Sequence, residues 1–395
     1  MAAHLRTCGY ASDLHETALA KDWERFDQLT TASGEAVLAE VNADHPVGGT
    51  VMFAAAAGGA GASIWRVYGA GGDPDVCSRG DGGASPLQAA LRYPDLATAE
   101  ITAATLLANA ASPRPASSAD DSPLHIAAAR GSTELAEMLI RLGADAEARD
   151  ARGLRPAEVA ERAGHTNLAE RIRNHAAIPR TCRSSRTAAD ALGNAYREPE
   201  WSGLSILARS GLVGLAHGQL DRVKEHVARD PRFAHAVATT SEIAVEACAH
   251  TGRKEIVDFL LEHGAPYSLP TAVMRSDVDT VRRLLDEDPR RIQERGAHDF
   301  ALLWYPVIGE CEVSVMELLV QRGAVVEEQH QLGTTALHWA CRGGRADLVE
   351  WLLDHGADVG RVGRKFRTEG ETPLQIALAA EHAHVADLLR SCGAR

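Results

Sequence analysis

Short apolar runs at helical spacing, each cut off by glycine or proline, set the pattern of this chain. In residues 134–140, 278–285, 347–353 and 385–389 the large aliphatic side chains recur at i, i+3 and i+4 with charged residues between them. That spacing predicts short amphipathic helices, each with one apolar face to bury. Most are preceded by a smaller, Ala-rich segment, as at 123–128, 336–341 and 373–377. Ser122, Thr335 and Thr372 stand where a side-chain oxygen caps such a helix, and Pro123 and Pro373 follow at the first helical position, where a missing N–H costs least. Gly131 and Gly344 end these first helices, and Ala pairs such as Ala127 and Ala128 let two helices approach closely. The prediction is a succession of paired short helices, an all-α fold.

The pairs follow one another with a fixed period. Gly333-Thr334-Thr335-Ala336-Leu337-His338-Trp339-Ala340-Cys341 leads through Gly344 to the second helix and then to His355-Gly356-Ala357-Asp358. The same order of residue types returns from Asp121 to Asp145 and from Glu371 to Ala394. Gly-Ala pairs close second helices at Gly143, Gly264, Gly323, Gly356 and Gly393, and the step 356 − 323 is 33 residues. Asp230-Pro231 and Asp288-Pro289 replace Gly-Ala as stop signals in two further units. This phrase resembles the ankyrin repeat, a unit of ~33 residues with a Thr-Pro-Leu-His signature. The resemblance implies an ankyrin-repeat solenoid of stacked helix–turn–helix units with extended finger loops, because no unit can bury its own apolar face. The expected organisation is an N-terminal helical cap or degenerate repeat at 1–46, a first array at 47–177, a linker at 178–203 and a second array at 204–395. Within the first array, 51–57 reads as a degenerate unit and 154–172 as a truncated one.

Composition fits a repeat stack. Hydrophobic residues make up 45% of the chain but aromatics only 5%, as expected where Ala, Leu and Val form thin layers between helices. No apolar run reaches the ~20 residues needed to span a bilayer, and the first ten residues lack the apolar core of a signal peptide. The seven cysteines form no Cys-x-x-Cys, and Cys248 and Cys341 sit where the repeat places a small buried residue. These features point to reduced thiols and a cytoplasmic protein. Arginine far outnumbers lysine, which suggests a GC-rich, bacterial genome. The net charge of −13 argues against general nucleic-acid binding, which needs cations to displace counterions. One basic cluster stands out in the long last finger: Arg361, Arg364, Lys365 and Arg367 around Phe366. It reads either as a solvated loop balanced by Glu369 and Glu371 or as a contact for an acidic partner.

Candidate chemistry is sparse. His125 and His338 hold the signature position, where the resemblance implies hydrogen bonds to backbone between repeats. No metalloprotease, phosphate-loop or nucleophile-elbow motif is present, no cofactor or metal is implied, and the reading leans away from an enzyme. Aligning residues 300–309 on 335–344 puts Trp304 opposite Trp339 on successive first helices, which line the concave side of an ankyrin stack. Either both tryptophans bind a partner or both fill the space between repeats. The unit of Trp304 is also the most irregular, with Leu303 in the histidine position and Pro306 inside the first helix. Around it, Trp304, Tyr305, Trp339 and Arg342 are candidate binding residues, and His298 and Asp299 are the candidates if the site is catalytic. Two functions stay open. One is a non-catalytic scaffold binding another protein through concave helices and fingers, including Arg364, Lys365, Phe366 and Arg367. The other is a small-molecule or catalytic site at the irregular repeat or between the arrays. Self-association through a poorly capped end is a third, weaker option.

Overall fold

The structure, a computed structural model, describes residues 13–20, 24–26, 28–29, 40–44, 49–61, 64–79, 82–109, 111–114, 121–178, 182–183, 204, 206–238, 240, 242–309, 311–330, 333–364 and 370–395. It falls into two compact units, Met1–Arg180 with Glu200–Ser210 and Thr181–Pro199 with Gly211–Arg395. In the first unit the paired helices are Val51–Ala57 with Ile64–Gly69, Pro86–Leu91 with Leu96–Ala108, Pro123–Arg130 with Thr133–Arg141, and Pro156–Arg162 with Thr166–Arg173. The last of these is a complete pair, so the unit read as truncated at 154–172 is not. Of the expected N-terminal cap, the helix Asp13–Ala20 is described, with Leu14 and Ala18 buried. Residues 31–39 and most of the expected linker, 184–203, lie outside the described residues.

The second unit takes in the helix Ile206–Ala216 from Gly211 onward, paired with Leu220–Arg229. Then come Ala244–Ala249 with Lys254–Glu262, Leu269–Met274 with Val278–Glu287, Tyr305–Ile308 with Val313–Gln321, Ala336–Arg342 with Ala346–Asp354, and Pro373–Ala379 with Ala383–Ser391. First helices stack on first helices in both units, and the second helices of regular pairs stack on one another. Their apolar stripes, such as Leu135 with Leu139 and Leu348 with Leu352, are fully buried. Each such side chain contributes about 1.5–3 kcal/mol. The Asp-Pro stops act as expected. Helices Leu220–Arg229 and Val278–Glu287 end there, and Asp230 and Asp288 each accept a bond from the N–H two residues on and cap a short 3₁₀ turn. Narrow antiparallel bridges, Ser78 with Ala84, Val237 with Ile243, Arg295 with Ala301, His330 with Thr334 and Gly363 with Glu371, close the fingers.

One bond recurs at the start of the regular first helices. His125 touches the Ser122 hydroxyl with Nδ1 at 2.7 Å and reaches the Leu154 carbonyl with Nε2 at 2.9 Å. His338 accepts from the Thr335 N–H through Nδ1 at 3.1 Å and so donates from Nε2 to the Arg361 carbonyl at 3.2 Å. Gln88 does the same work with an amide: it completes a capping box with Ser85 and donates to the Asp121 carbonyl at 3.0 Å. The signature residue thus caps its own helix and ties it to the next finger. Glycines leave room for a second set of ties. A Cβ on Gly344 (φ +68°) would meet the His382 ring at 2.7 Å, and that ring reaches back to the Arg342 carbonyl.

Burial lowers the His338 imidazole from 6.5 to about 4 against the pull of its carbonyl partners. The folded state therefore keeps it neutral while the unfolded chain takes up the proton first. Its contribution is intact above about pH 6.5 and disappears as the pH falls from there through about 4. His338→Gln can keep both bonds, as Gln88 shows, but cannot titrate. We expect its urea midpoint at pH 7 to stay within about 1 kcal/mol of the parent. Between pH 6.5 and 4 it should lose less stability than the parent, by on the order of 2 kcal/mol.

Candidate functional site

The repeat pattern breaks most clearly between residues 289 and 309. Pro306 allows only a four-residue helix, Tyr305–Ile308, preceded by a 3₁₀ turn at Leu302–Trp304. The preceding finger turns sharply, with His298 (φ 56°) and Asp299 (φ 67°) both in the left-handed region. Two consecutive non-glycine residues there cost energy and persist only where the surroundings dictate them. The fully buried Arg295 is the main such influence. Its Nη1 donates to the Asp299 and Gln329 carbonyls at 2.9 and 2.8 Å, and its Nη2 to Glu328 Oε1 at 2.6 Å. His330 adds a bond from Nε2 to the His298 carbonyl at 2.6 Å. A guanidinium and an imidazole thereby lock the backbone of one finger onto the next.

Behind the turn lies an aromatic cluster. Phe300 packs edge-on against Trp304, with centroids 5.2 Å apart, and Trp304 lies 5.8 Å from Trp339 and 4.9 Å from His330. Phe300 also lies 5.5 Å from the ring of His250, which carries the cluster to a group of polar side chains.

That group is His217, Glu242, His250 and His298, one donor atom from each lying within 4.8 Å of the others. Glu242 Oε1 is the centre. It lies 3.2 Å from His298 Nε2, 3.3 Å from His250 Nδ1 and 3.6 Å from His217 Nε2. His217 and His250 each follow the last residue of a first helix, and each places Nδ1 at 2.9 Å from the carbonyl four residues earlier, Val213 or Glu246. Glu242 comes from the finger hairpin ahead of Ala244–Ala249, where its carbonyl accepts from the Ala238 N–H at 2.8 Å. Glu242, His250 and His298 are less than a tenth exposed, whereas a third of the His217 side chain reaches solvent. Burial alone would raise the Glu242 carboxyl. The charges of His298 and His217 and a His298 hydrogen bond outweigh it and hold the carboxyl at about 2. Burial, reinforced by the charge of His298, drives His250 down to about 3.

The structure brings only one sequence-derived candidate, His298, into this group. Asp299 turns away to Arg295. Trp304 and Tyr305 are completely buried and present no surface to a partner. Trp339 is half-buried and Arg342 exposed, and together they border a groove with Thr334, His338 and Glu371. Arg364 lies at the edge of the last finger, while Lys365, Phe366 and Arg367 lie outside the described residues. Sequence reasoning missed His217, Glu242 and His250. One signal was available: 250 − 217 is 33, a full repeat, so the two histidines hold the same register.

A family model described as ankyrin repeats in three copies matches residues 307–395, and one described as an ankyrin repeat matches 120–151. This chain carries ankyrin repeats. An ankyrin repeat protein of Acanthamoeba polyphaga mimivirus is 30% identical over 81 residues, 20% of this chain and 10% of that protein. Ankyrin repeat domain-containing protein 40 of mouse and of human is 34% identical over 71 residues, 18% of either chain. The matched segments thus span no more than 18% of these relatives' length. Residues 217–298, which carry the histidine–glutamate group, fall outside both family matches. Among the described residues no helix is long and apolar enough to cross a membrane.

Two substitutions test how the finger at 294–300 is held. Arg295→Ala leaves Asp299 and Glu328 without their buried cation and should cost about 3–5 kcal/mol in urea unfolding. A Cβ on Gly296 would lie 1.9 Å from the Tyr305 hydroxyl oxygen. Gly296→Ala should therefore destabilise by about 1–3 kcal/mol, and Gly296→Ala with Tyr305→Phe should recover part of that loss in the same measurement.

Proposed function

We propose that this ankyrin-repeat chain is a non-catalytic cytoplasmic scaffold that binds another protein through first helices and fingers of its second unit. Ankyrin repeats generally mediate protein–protein interaction, and that general role is the starting point. The observation that carries the finer reading is the placement of Trp339. One side of its ring packs on Phe300 and Trp304, which fixes the side chain before any partner arrives, and the rest stays accessible beside exposed Arg342. Preordered tryptophan beside arginine is the composition of an interface anchor, since both bring large contact area. Trp304 and Tyr305 serve as backing for that anchor. Arg364 and, by sequence, Lys365, Phe366 and Arg367 extend the surface along the last finger and favour an acidic partner. The alternative of a ligand site at the irregular repeat draws its support from the convergence around Glu242, and none from Trp304.

Purified natively from its host, the protein should carry a stoichiometric protein partner in mass spectrometry of the intact complex. Arg342→Glu combined with Arg364→Glu reverses the charge of this surface without opening the core. It should weaken the partner at least ~10-fold while the unfolding midpoint stays within about 1 kcal/mol. A partner held with unchanged affinity by that variant would exclude this surface.

A further inference from the structure

We infer that His217, Glu242, His250 and His298 form a binding site for a late first-row divalent cation, zinc foremost, that clips together three separate segments of the second unit. The argument begins with distance. A tetrahedral zinc with bonds of about 2.0–2.1 Å to nitrogen and oxygen spaces its donors about 3.3–3.4 Å apart. The separations of His298 Nε2 and His217 Nε2 from Glu242 Oε1 are 3.2 and 3.6 Å, and one donor atom from each of the four residues lies within 4.8 Å of the others. Side chains from residues 217, 242, 250 and 298 therefore stand close to the positions a single ion requires, with shifts of an ångström or so left to make.

The donor chemistry selects the ion. Three imidazoles and one carboxylate suit zinc and its neighbours, whereas magnesium and calcium call for oxygen. The nearby thiol does not compete, since Cys248 Sγ is directed to the carbonyls of Ala244 and Val245. The surroundings are also those of a ligand set. Metal-bound histidines usually keep their second nitrogen on a backbone carbonyl, which fixes the tautomer. His217 does so through Nδ1 on Val213 and points Nε2 at the group. His250 Nδ1 donates to the Glu246 carbonyl at 2.9 Å and also faces Glu242, so to ligate, the ring must turn its unprotonated Nε2 to the ion or give up the Glu246 bond. His298 is held in a left-handed conformation by Arg295 and His330, and that conformation aims Nε2 at Glu242.

Four protein donors complete a tetrahedral shell and leave no position for substrate, so the site is structural rather than catalytic. The exposed edge of His217 provides the entry path. The ion would tie the ends of two successive first helices to a finger that follows the next pair, closing long segments of chain at one point.

The test uses the full chain stripped with EDTA and titrated with zinc chloride, and separately with cobalt chloride. One zinc per chain should bind and raise the thermal midpoint, and cobalt should give the strong visible absorption of a tetrahedral site. Glu242→Gln, His298→Ala and His217→Ala should each weaken zinc at least ~100-fold, while His226→Ala, a half-buried histidine outside the group, should not. His217 is the most exposed ligand, so its variant decides the matter should the buried ones fail to fold. Absence of stoichiometric zinc, or zinc whose affinity is unchanged in His217→Ala and His298→Ala, would overturn the site. In that event the group acts as an imidazole–carboxylate tie between fingers.

Discussion

The bond from the third residue of a first helix to a backbone carbonyl of the following finger is what the regular repeats depend on. A helix pair of six to thirteen residues per helix is too thin to bury its own apolar face, so its neighbours must supply the burial. Hydrophobic contact brings the layers together but does little to fix the angle or register between them. A hydrogen bond with one partner on the helix and the other in the next finger does fix them, and it satisfies a finger carbonyl that packing would otherwise strand. His125, His338 and Gln88 all make this bond, two by imidazole and one by amide. Geometry and hydrogen-bonding capacity therefore set the requirement, and charge has no part in it.

Between residues 244 and 308 the same position holds Glu246, Thr271 and Leu303, and the imidazole or amide bridge is lost in three successive repeats. Thr271 uses its hydroxyl locally, on Ser268. In this stretch the chain joins its fingers by other means: the Arg295 guanidinium to residues 299, 328 and 329, His330 to the His298 carbonyl, and the convergence on Glu242. Replacing a neutral bridge by buried ionic ones raises the stakes. A buried guanidinium or carboxylate must be fully answered or it destabilises the fold strongly. The irregular repeat has thus exchanged the generic connection for a specific one.

Most of the fold was legible in the residues because each signal is local. Ser122 and Pro123 announce a helix start, Asp288-Pro289 a stop, and the Leu135 and Leu139 spacing a buried stripe, and none of these needs knowledge of the neighbours. The pair at 156–173 lacks the Ser or Thr cap that marks the start of other first helices. Arg155 takes that place, with Glu158 bonding back to the Arg155 N–H. The site was less legible. Trp304 and Trp339 do face each other across one layer, as their alignment implied, yet the alignment could not say which ring would be covered. Phe300 and the folded-back finger cover Trp304 and leave part of Trp339 open. His298 was visible as an oddity beside a disrupted helix. Its partners were not, because Glu242 lies 56 residues earlier (298 − 242), and nothing local distinguishes it from a solvated finger glutamate.

The two parts of the second unit fit one physical picture. At its C-terminal end the repeats are regular, the His338 bond to the Arg361 carbonyl and an Arg361–Glu327 ion pair hold the fingers, and the first helix presents half-buried Trp339 with Arg342 beside it. A surface of that kind binds well only if its backbone is already rigid, since ordering it on contact would consume the gain. The rigidity comes from the layer beneath, where Phe300 and Trp304 abut Trp339 and also touch His330 and His250. Whatever fixes the finger at 294–300 therefore also fixes the floor on which Trp339 rests. An ion held by His298, Glu242, His250 and His217 would act at the far edge of the same aromatic layer, and its loss would loosen the Trp339 platform without altering Trp339 or Arg342.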